Sequence, residues 1–194
     1  FNSKYVLGQF KAKLHLTQYV YGYDTILNSN NSVTNFKFDG NALSFGADWN
    51  AKIKNFELFA EGRITPGGTR ISGNFVRGAA SFKKDSLFTV TGSLLLSSKS
   101  PNFNTILHQS KYDNYNWENN FSNVNTRDLG FAIDSKWLNG SLNFTNIDNF
   151  TYFDENSTAQ QFNSQITYLK IKVNREFKYW KLALDNTVMY QNVS

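Results

Sequence analysis

The most constraining stretch of the chain runs from Ile166 to Val193, ITYLKIKVNREFKYWKLALDNTVMYQNV. In its first half Leu169, Ile171, Val173 and Phe177 alternate with Lys170, Lys172, Asn174, Glu176 and Lys178. After Tyr179-Trp180 the alternation resumes, with Leu182, Leu184, Val188 and Tyr190 against Lys181, Asp185, Thr187 and Gln191. A period of two describes a strand with one apolar and one wet face. Length adds a second constraint. Each arm runs about 12 residues, whereas a strand in a soluble protein has about 5–6. A strand that crosses a bilayer at a tilt needs about 9–11.

The remaining composition is compatible with membrane strands and excludes membrane helices. Hydrophobic residues make up 40 % of the 194 and aromatics 16 %, yet the mean hydropathy is −0.47. No run approaches the ~20 apolar residues of a spanning helix, while a half-apolar membrane strand averages out as polar. Eighteen Phe and ten Tyr against two Pro favour strands. With no Cys, neither disulfides nor thiolate metal sites arise. The net charge of +5 is spread singly along alternating strands, which argues against a nucleic-acid partner. Phe1-Asn2-Ser3-Lys4 leads straight into strand-like sequence without a signal peptide, so the expectation is a processed chain or an internal piece of a longer one.

Strand patterns recur along the chain. From Tyr5 to Leu16, Val6, Phe10, Ala12, Leu14 and Leu16 oppose Gln9, Lys11, Lys13 and His15; Tyr19, Tyr21 and Tyr23 follow as an expected interfacial aromatic girdle. Asp24–Ser32 reads as a loop, and Val33–Ile53 as strand, with Asp39-Gly40 as a turn or a bulge. Lys54-Asn55 turns into Phe56–Ile64, which Pro66-Gly67-Gly68 ends. Ile71–Phe82 and Leu87–Ser97 follow, then a long loop around Pro101 from Lys99 to Asn114. Further strands are expected over Tyr115–Val124 and Leu129–Trp137. After a turn at Leu138-Asn139-Gly140, another starts at Leu142 and ends in Phe150, Tyr152 and Phe153. Asp154–Gln161 is the last polar loop. This gives nine to eleven strands, but the long and short connections do not alternate as they should in a bacterial barrel.

No catalytic, cofactor-binding or metal-binding constellation is present. His15 and His108 have no partners at ligand spacing. Glu57 and Glu61 fall on one strand face about 13 Å apart, beyond the ~9.5 Å of a glycosidase pair. Triplets such as Asn143-Phe144-Thr145 follow from the 26 Asn. The functional candidate is the polar face itself: Lys11, Lys13, Glu57, Glu61, Arg63, Lys170, Lys172 and Glu176 would line a lumen of mixed charge that biases which solutes pass.

Four segments carry a resemblance: SKSPNF (Ser98–Phe103), YNWENNF (Tyr115–Phe121), IDNFTYF (Ile147–Phe153) and the stretch Gln161–Val193. They resemble the "putative porin" family of Bacteroidetes outer membranes, most closely in the second half of the chain. The resemblance implies an all-β, antiparallel transmembrane β-barrel in the outer membrane, not an enzyme, with residues 1–194 a single barrel domain. The family's chains are longer, and Gln191-Asn192-Val193-Ser194 lacks the terminal aromatic of a complete barrel strand. A portion of a larger barrel is therefore expected. The expected function is passive passage of small solutes, with outer-membrane lipid as partner and no cofactor. Two alternatives remain. One is a β-rich accessory or plug subunit docked on other outer-membrane proteins, as in a secretion translocon, because an incomplete barrel leaves unpaired edges. The other is a soluble β-sandwich binding module.

Overall fold

The computed structural model describes residues 7–24, 26–27, 33–34, 37–67, 71–112 and 115–194. Nine long strands form one antiparallel sheet: β1 (Gln9–Gly22), β2 (Lys37–Ile53), β3 (Phe56–Thr65), β4 (Gly73–Lys84), β5 (Phe88–Lys99), β6 (Val124–Ser135), β7 (Asn139–Asp148), β8 (Ile166–Tyr179) and β9 (Leu182–Val193). Each pairs with its neighbour in sequence, so the sheet is a simple meander with β1 and β9 as its two edges. Among the described residues the sheet does not close, and no second large sheet faces it. The sandwich expectation thus lacks its second layer, whereas a partial barrel wall fits.

The alternation of connections, which the sequence reading fails to produce, is regular in the structure. Short turns follow β2, β4, β6 and β8; longer connections follow β1, β3, β5 and β7. Two corrections restore it. Asp39-Gly40 is neither turn nor bulge, because β2 runs through it in unbroken register with Val20 and Tyr19. Gly40 lies under the Tyr19 ring, where an added Cβ would come 2.6 Å from the hydroxyl oxygen. Tyr115–Val124 is not a long strand either: only Trp117–Glu118 pairs, with Leu107–His108, and β6 then runs from Val124 to Ser135. The asparagines of that segment bond to backbone carbonyls instead of leaving the ladder free. Asn119 donates to Thr105, Asn116 to Tyr112 and Asn123 to Ser72. The strand expected to end at Phe150–Phe153 stops at Asp148, and Thr151–Phe153 forms a small hairpin with Ala159–Gln161. Tyr5, Val6, Gly68, Asn114 and most of the Asp24–Ser32 loop lie outside the described residues.

The register shows how the sheet tilts. Phe56, Phe82, Val90, Ile133, Gly140, Val173 and Val188 stand in one row across β3 to β9. β3 begins on that row, whereas β8 continues six residues past it, from Val173 to Tyr179. If the turns lie at one level, that stagger is about one residue per strand and tilts the strands by roughly 35°, as in barrel walls.

The two faces carry opposite chemistry and inverted burial. One presents Leu14, Phe45, Leu58, Val76, Leu94, Leu129, Phe131, Leu142, Phe144, Ile171 and Val188; the other presents the serines, threonines, asparagines and charges of the same strands. Along β6, Leu129 and Phe131 are 56 % and 51 % exposed, while Asp128, Gly130 and Ala132 between and beside them are half-buried. Removing a Leu or Phe side chain from water is worth about 1.5–3 kcal/mol, so such a face would be stabilised by apolar surroundings. On β3 and β5 the apolar rows Phe56–Ile64 and Phe88–Leu96 would stand roughly 20–25 Å tall at that tilt, close to a bilayer's apolar band. Charges on this face sit at its borders, as in the Arg127–Asp148 pair (2.6 Å) at the loop end. Aromatics mark the turn end: Phe56 packs on Phe82 (5.0 Å), Phe82 on Phe88 (6.2 Å), and Trp137, Phe177, Tyr179 and Trp180 stand exposed.

The enclosed core lies elsewhere. After β5 a single helical turn, Phe103–Ile106, bends over the polar face at the loop end of β1 and β2. There Tyr19, Phe38, Ile106 and Leu107 are buried, with Tyr21, Tyr23 and Phe103 packed around them. Tyr19 and Tyr21 are therefore not an outward girdle. They share a face with Lys11 and Lys13, opposite Gly40 and Phe38, and serve as the floor on which the loop folds.

Candidate functional site

Strand pairing places Lys11, Lys13, Glu57, Glu61, Arg63, Lys170, Lys172 and Glu176 on a single face. Directly opposed residues share a face in an antiparallel ladder. The row Lys11–Asp48–Glu61–Arg77–Leu95–Asp128–Thr145–Tyr168 links β1 to β8, and Lys170 and Lys172 follow Tyr168 at even steps. The short turns preserve the alternation. In the turns after β2 and β8 the first residue, Lys54 or Trp180, adopts positive φ (52° and 53°), which matches a two-residue hairpin to the sheet twist.

The eight residues do not form one cluster. Lys13 leans across Gly46, its register partner, to place Nζ 2.6 Å from Asp48 Oδ1 and 3.2 Å from Glu61 Oε1. Arg77 on β4 reaches the same Glu61, its Nε donating to Oε2 at 2.7 Å. Four strands are thus tied by two cations and two carboxylates. The Asp48 oxygen facing Lys13 is buried and held by that ammonium. Asp48 and Arg77 are the members that sequence reasoning misses, since only the register brings them beside Glu61. Elsewhere Lys52 and Glu57 pair across a turn at 2.8 Å, and Glu176 pairs with Lys178 two residues along β8 at 3.0 Å. Arg63 lies over the Phe75 ring at 5.3 Å.

Among the described residues Lys170 and Lys172 have no such partners. Across the strands Lys170 faces Asn143 and Gln191, and Lys172 faces Ser141 and Met189. On their own rows across β4 to β7 the face is built of small uncharged residues, Ser81, Thr91, Ser93, Gly130, Ala132 and Ser141, while the adjoining row carries Leu95 and Asp128. These short side chains leave open space above the wall.

At the loop end, the segment after β5 and the polar face enclose a cleft of about 650 Å³ lined by Glu61, Arg63, Arg77, Ser98, Lys99 and Phe103. His108, which has no ligand partner in sequence, is occupied structurally. Its Nδ1 lies 3.0 Å from the Tyr23 hydroxyl, and its ring stacks on Trp117 at 4.6 Å. His15 faces the same side as Lys13, opposite Ser44.

The sequence profile of a family described as "Putative porin" matches residues 1–194, the whole chain. The chain belongs to that family. Membership supports a porin-like role in general, and the all-β antiparallel sheet with its outward apolar face is the architecture such a role requires. The match extends over the first half of the chain as well as the second. No curated protein and no solved structure matches the chain.

Proposed function

We propose that this chain forms wall of a bacterial outer-membrane pore through which small solutes pass passively, with lipid against the apolar face and water against the polar one. The observation that supports this reading is the inverted burial: Leu129 and Phe131 point out while Asp128, Gly130 and Ala132 are half-covered on the other side. The eight residues expected on the polar face, from Lys11 to Glu176, then line the water-filled side together with Asp48, Arg77 and Asp128, where mixed charge sets the field that a solute meets. The wall does no chemistry; its selectivity is steric and electrostatic.

Planar-bilayer recording of the full-length protein tests the pore directly. Discrete ohmic steps are expected, together with heat-modifiable migration of the detergent-extracted protein on a gel. Heat-modifiable migration without conductance would instead favour a second reading, a structural partner of other outer-membrane proteins. The unpaired edges of β1 and β9 motivate that reading, because unpaired strand edges are templates for pairing.

A further inference from the structure

We infer that Lys170 and Lys172 make this wall selective for small anions, carboxylates and phosphates among them; the inference rests on the pore reading and names its solute class. Among the charges of the polar face that have no ion pair among the described residues, these two are set apart by position: Lys11 opposes Asp48, Arg63 lies two residues from Glu61, Lys83 lies near Glu57, and Lys99 stands at the loop end. Lys13 and Arg77 are spent on Asp48 and Glu61, Lys52 on Glu57 and Lys178 on Glu176. The carboxylates nearest to Lys170 and Lys172 are Asp128 and Asp134 on β6, each roughly 12 Å away by strand spacing and rise, and Glu176 and Asp185 at about 13 Å or more. Asp128 accepts a hydrogen bond from the Thr145 hydroxyl, Asp185 one from Asn174, and Glu176 is paired with Lys178. These distances equal or exceed the screening length of ~8–10 Å at physiological salt.

The two lysines stand two residues apart on one strand face, about 7 Å between Cα atoms, so their fields add. Ser141, Asn143, Gln191 and Met189 flank them without competing charge. The small residues of β4 to β7 leave room for a hydrated ion to approach the ammonium groups. A low-dielectric wall focuses such a field into the adjoining water. An ammonium attracts chloride, carboxylate and phosphate as a point charge, without the planar fork that would discriminate among them. The predicted selectivity is therefore by charge sign, not by anion identity.

Reversal potentials of the full-length protein across a potassium chloride gradient at low salt read this out, with potassium acetate and potassium phosphate as further probes. The native protein should favour anions. The double variant Lys170→Gln/Lys172→Gln should lower the anion-to-cation permeability ratio by about threefold or more per lysine, since a unit charge about 7 Å from an ion shifts its energy by about RT in water. Both glutamines keep the strand face polar, and heat-modifiable migration confirms folding. Lys54→Gln, in a turn off the wall, should leave the ratio unchanged. Ohmic steps with cation preference, or a ratio the double variant does not move, would overturn the anion assignment while leaving the pore intact. Absence of steps would overturn the pore reading and the inference with it.

Discussion

The middle of the sheet and its loop end use the same residue types in opposite ways. In the middle, Leu129, Phe131, Leu142 and Phe144 lie exposed, and the polar residues between them are the sheltered ones. At the loop end Leu107 is fully buried, Phe38 meets Phe103 edge-on at 5.2 Å, and Tyr21 packs on Phe103 at 5.1 Å. Hydrophobic free energy is gained wherever apolar surface leaves water, whatever receives it. The loop end finds its apolar partner within the chain and folds as a soluble protein does. The belt finds none among the described residues, so its partner is the surrounding medium. On the proposed pore reading, the difference sets water at the loop end and on the polar face and hydrocarbon around the middle.

The largest expected effect is at the loop end. Leu107→Ala should cost about 2–5 kcal/mol of local stability, as for a fully buried leucine. Its reach should be short. Hydrogen exchange should quicken over 103–109 and proteases should find the loop, while heat-modifiable migration stays native. Loss of the whole barrel on this substitution would break the division into two regions. Next in size is Phe131→Arg, which faces outward near mid-strand and should cost about 2–4 kcal/mol when the protein folds into lipid vesicles. Leu95→Arg, on the polar face between Arg77 and Asp128, should cost less than about 1 kcal/mol, since lumen-side changes act on selectivity before stability. Urea titrations in vesicles compare the two. Equal costs would mean that both faces meet the same medium.

The ion cluster sharpens the comparison from the wet side. Glu61 holds Lys13 and Arg77 together, yet both cations keep much of their surface in water. Glu61→Gln should therefore cost at most about 1 kcal/mol, and the difference should fade as salt rises. A large, salt-independent loss would mean that the polar face is dry.

What could be read in advance follows from the period of a strand. Alternation fixes which residues share a face, and short turns carry that parity from one strand to the next. The common face of Lys11, Glu61 and Lys172 was therefore legible without coordinates. The same parity already placed Tyr19 and Tyr21 with Lys11 and Lys13; composition suggested a girdle, and parity was the better guide. Pairing partners were not legible, because they depend on register. Lys13 meets Asp48 and Glu61 only once β1, β2 and β3 are aligned. The segment after β5 was the least legible. Its apolar residues follow no period, since Ile106 and Leu107 are buried at a single helical turn and the half-buried Trp117 stacks on His108.

The smallest effect is expected in the hairpin of Thr151–Phe153 with Ala159–Gln161, a loop-end element in water that tests whether that region titrates independently of the belt. Asp154 caps its turn. Oδ1 accepts from the amides of Asn156 (3.0 Å) and Thr158 (2.9 Å), and Oδ2 from the Thr158 hydroxyl (2.7 Å) and Gln160 (3.2 Å). The Thr158 hydroxyl above all, then its amide, holds the carboxyl below its ordinary value. A depressed carboxylate contributes stability that is fully present above the unfolded value of about 4 and is lost as pH falls through the lower folded value. Amide exchange at Asn156 and Thr158 should therefore stay slow from neutral pH down to about 4 and then rise, after correction for intrinsic rates. In Asp154→Asn that step should vanish, and exchange in β6 and β7 should not respond in either protein. A matching acid step in those strands would couple the hairpin to the belt and undo the separation of the two regions.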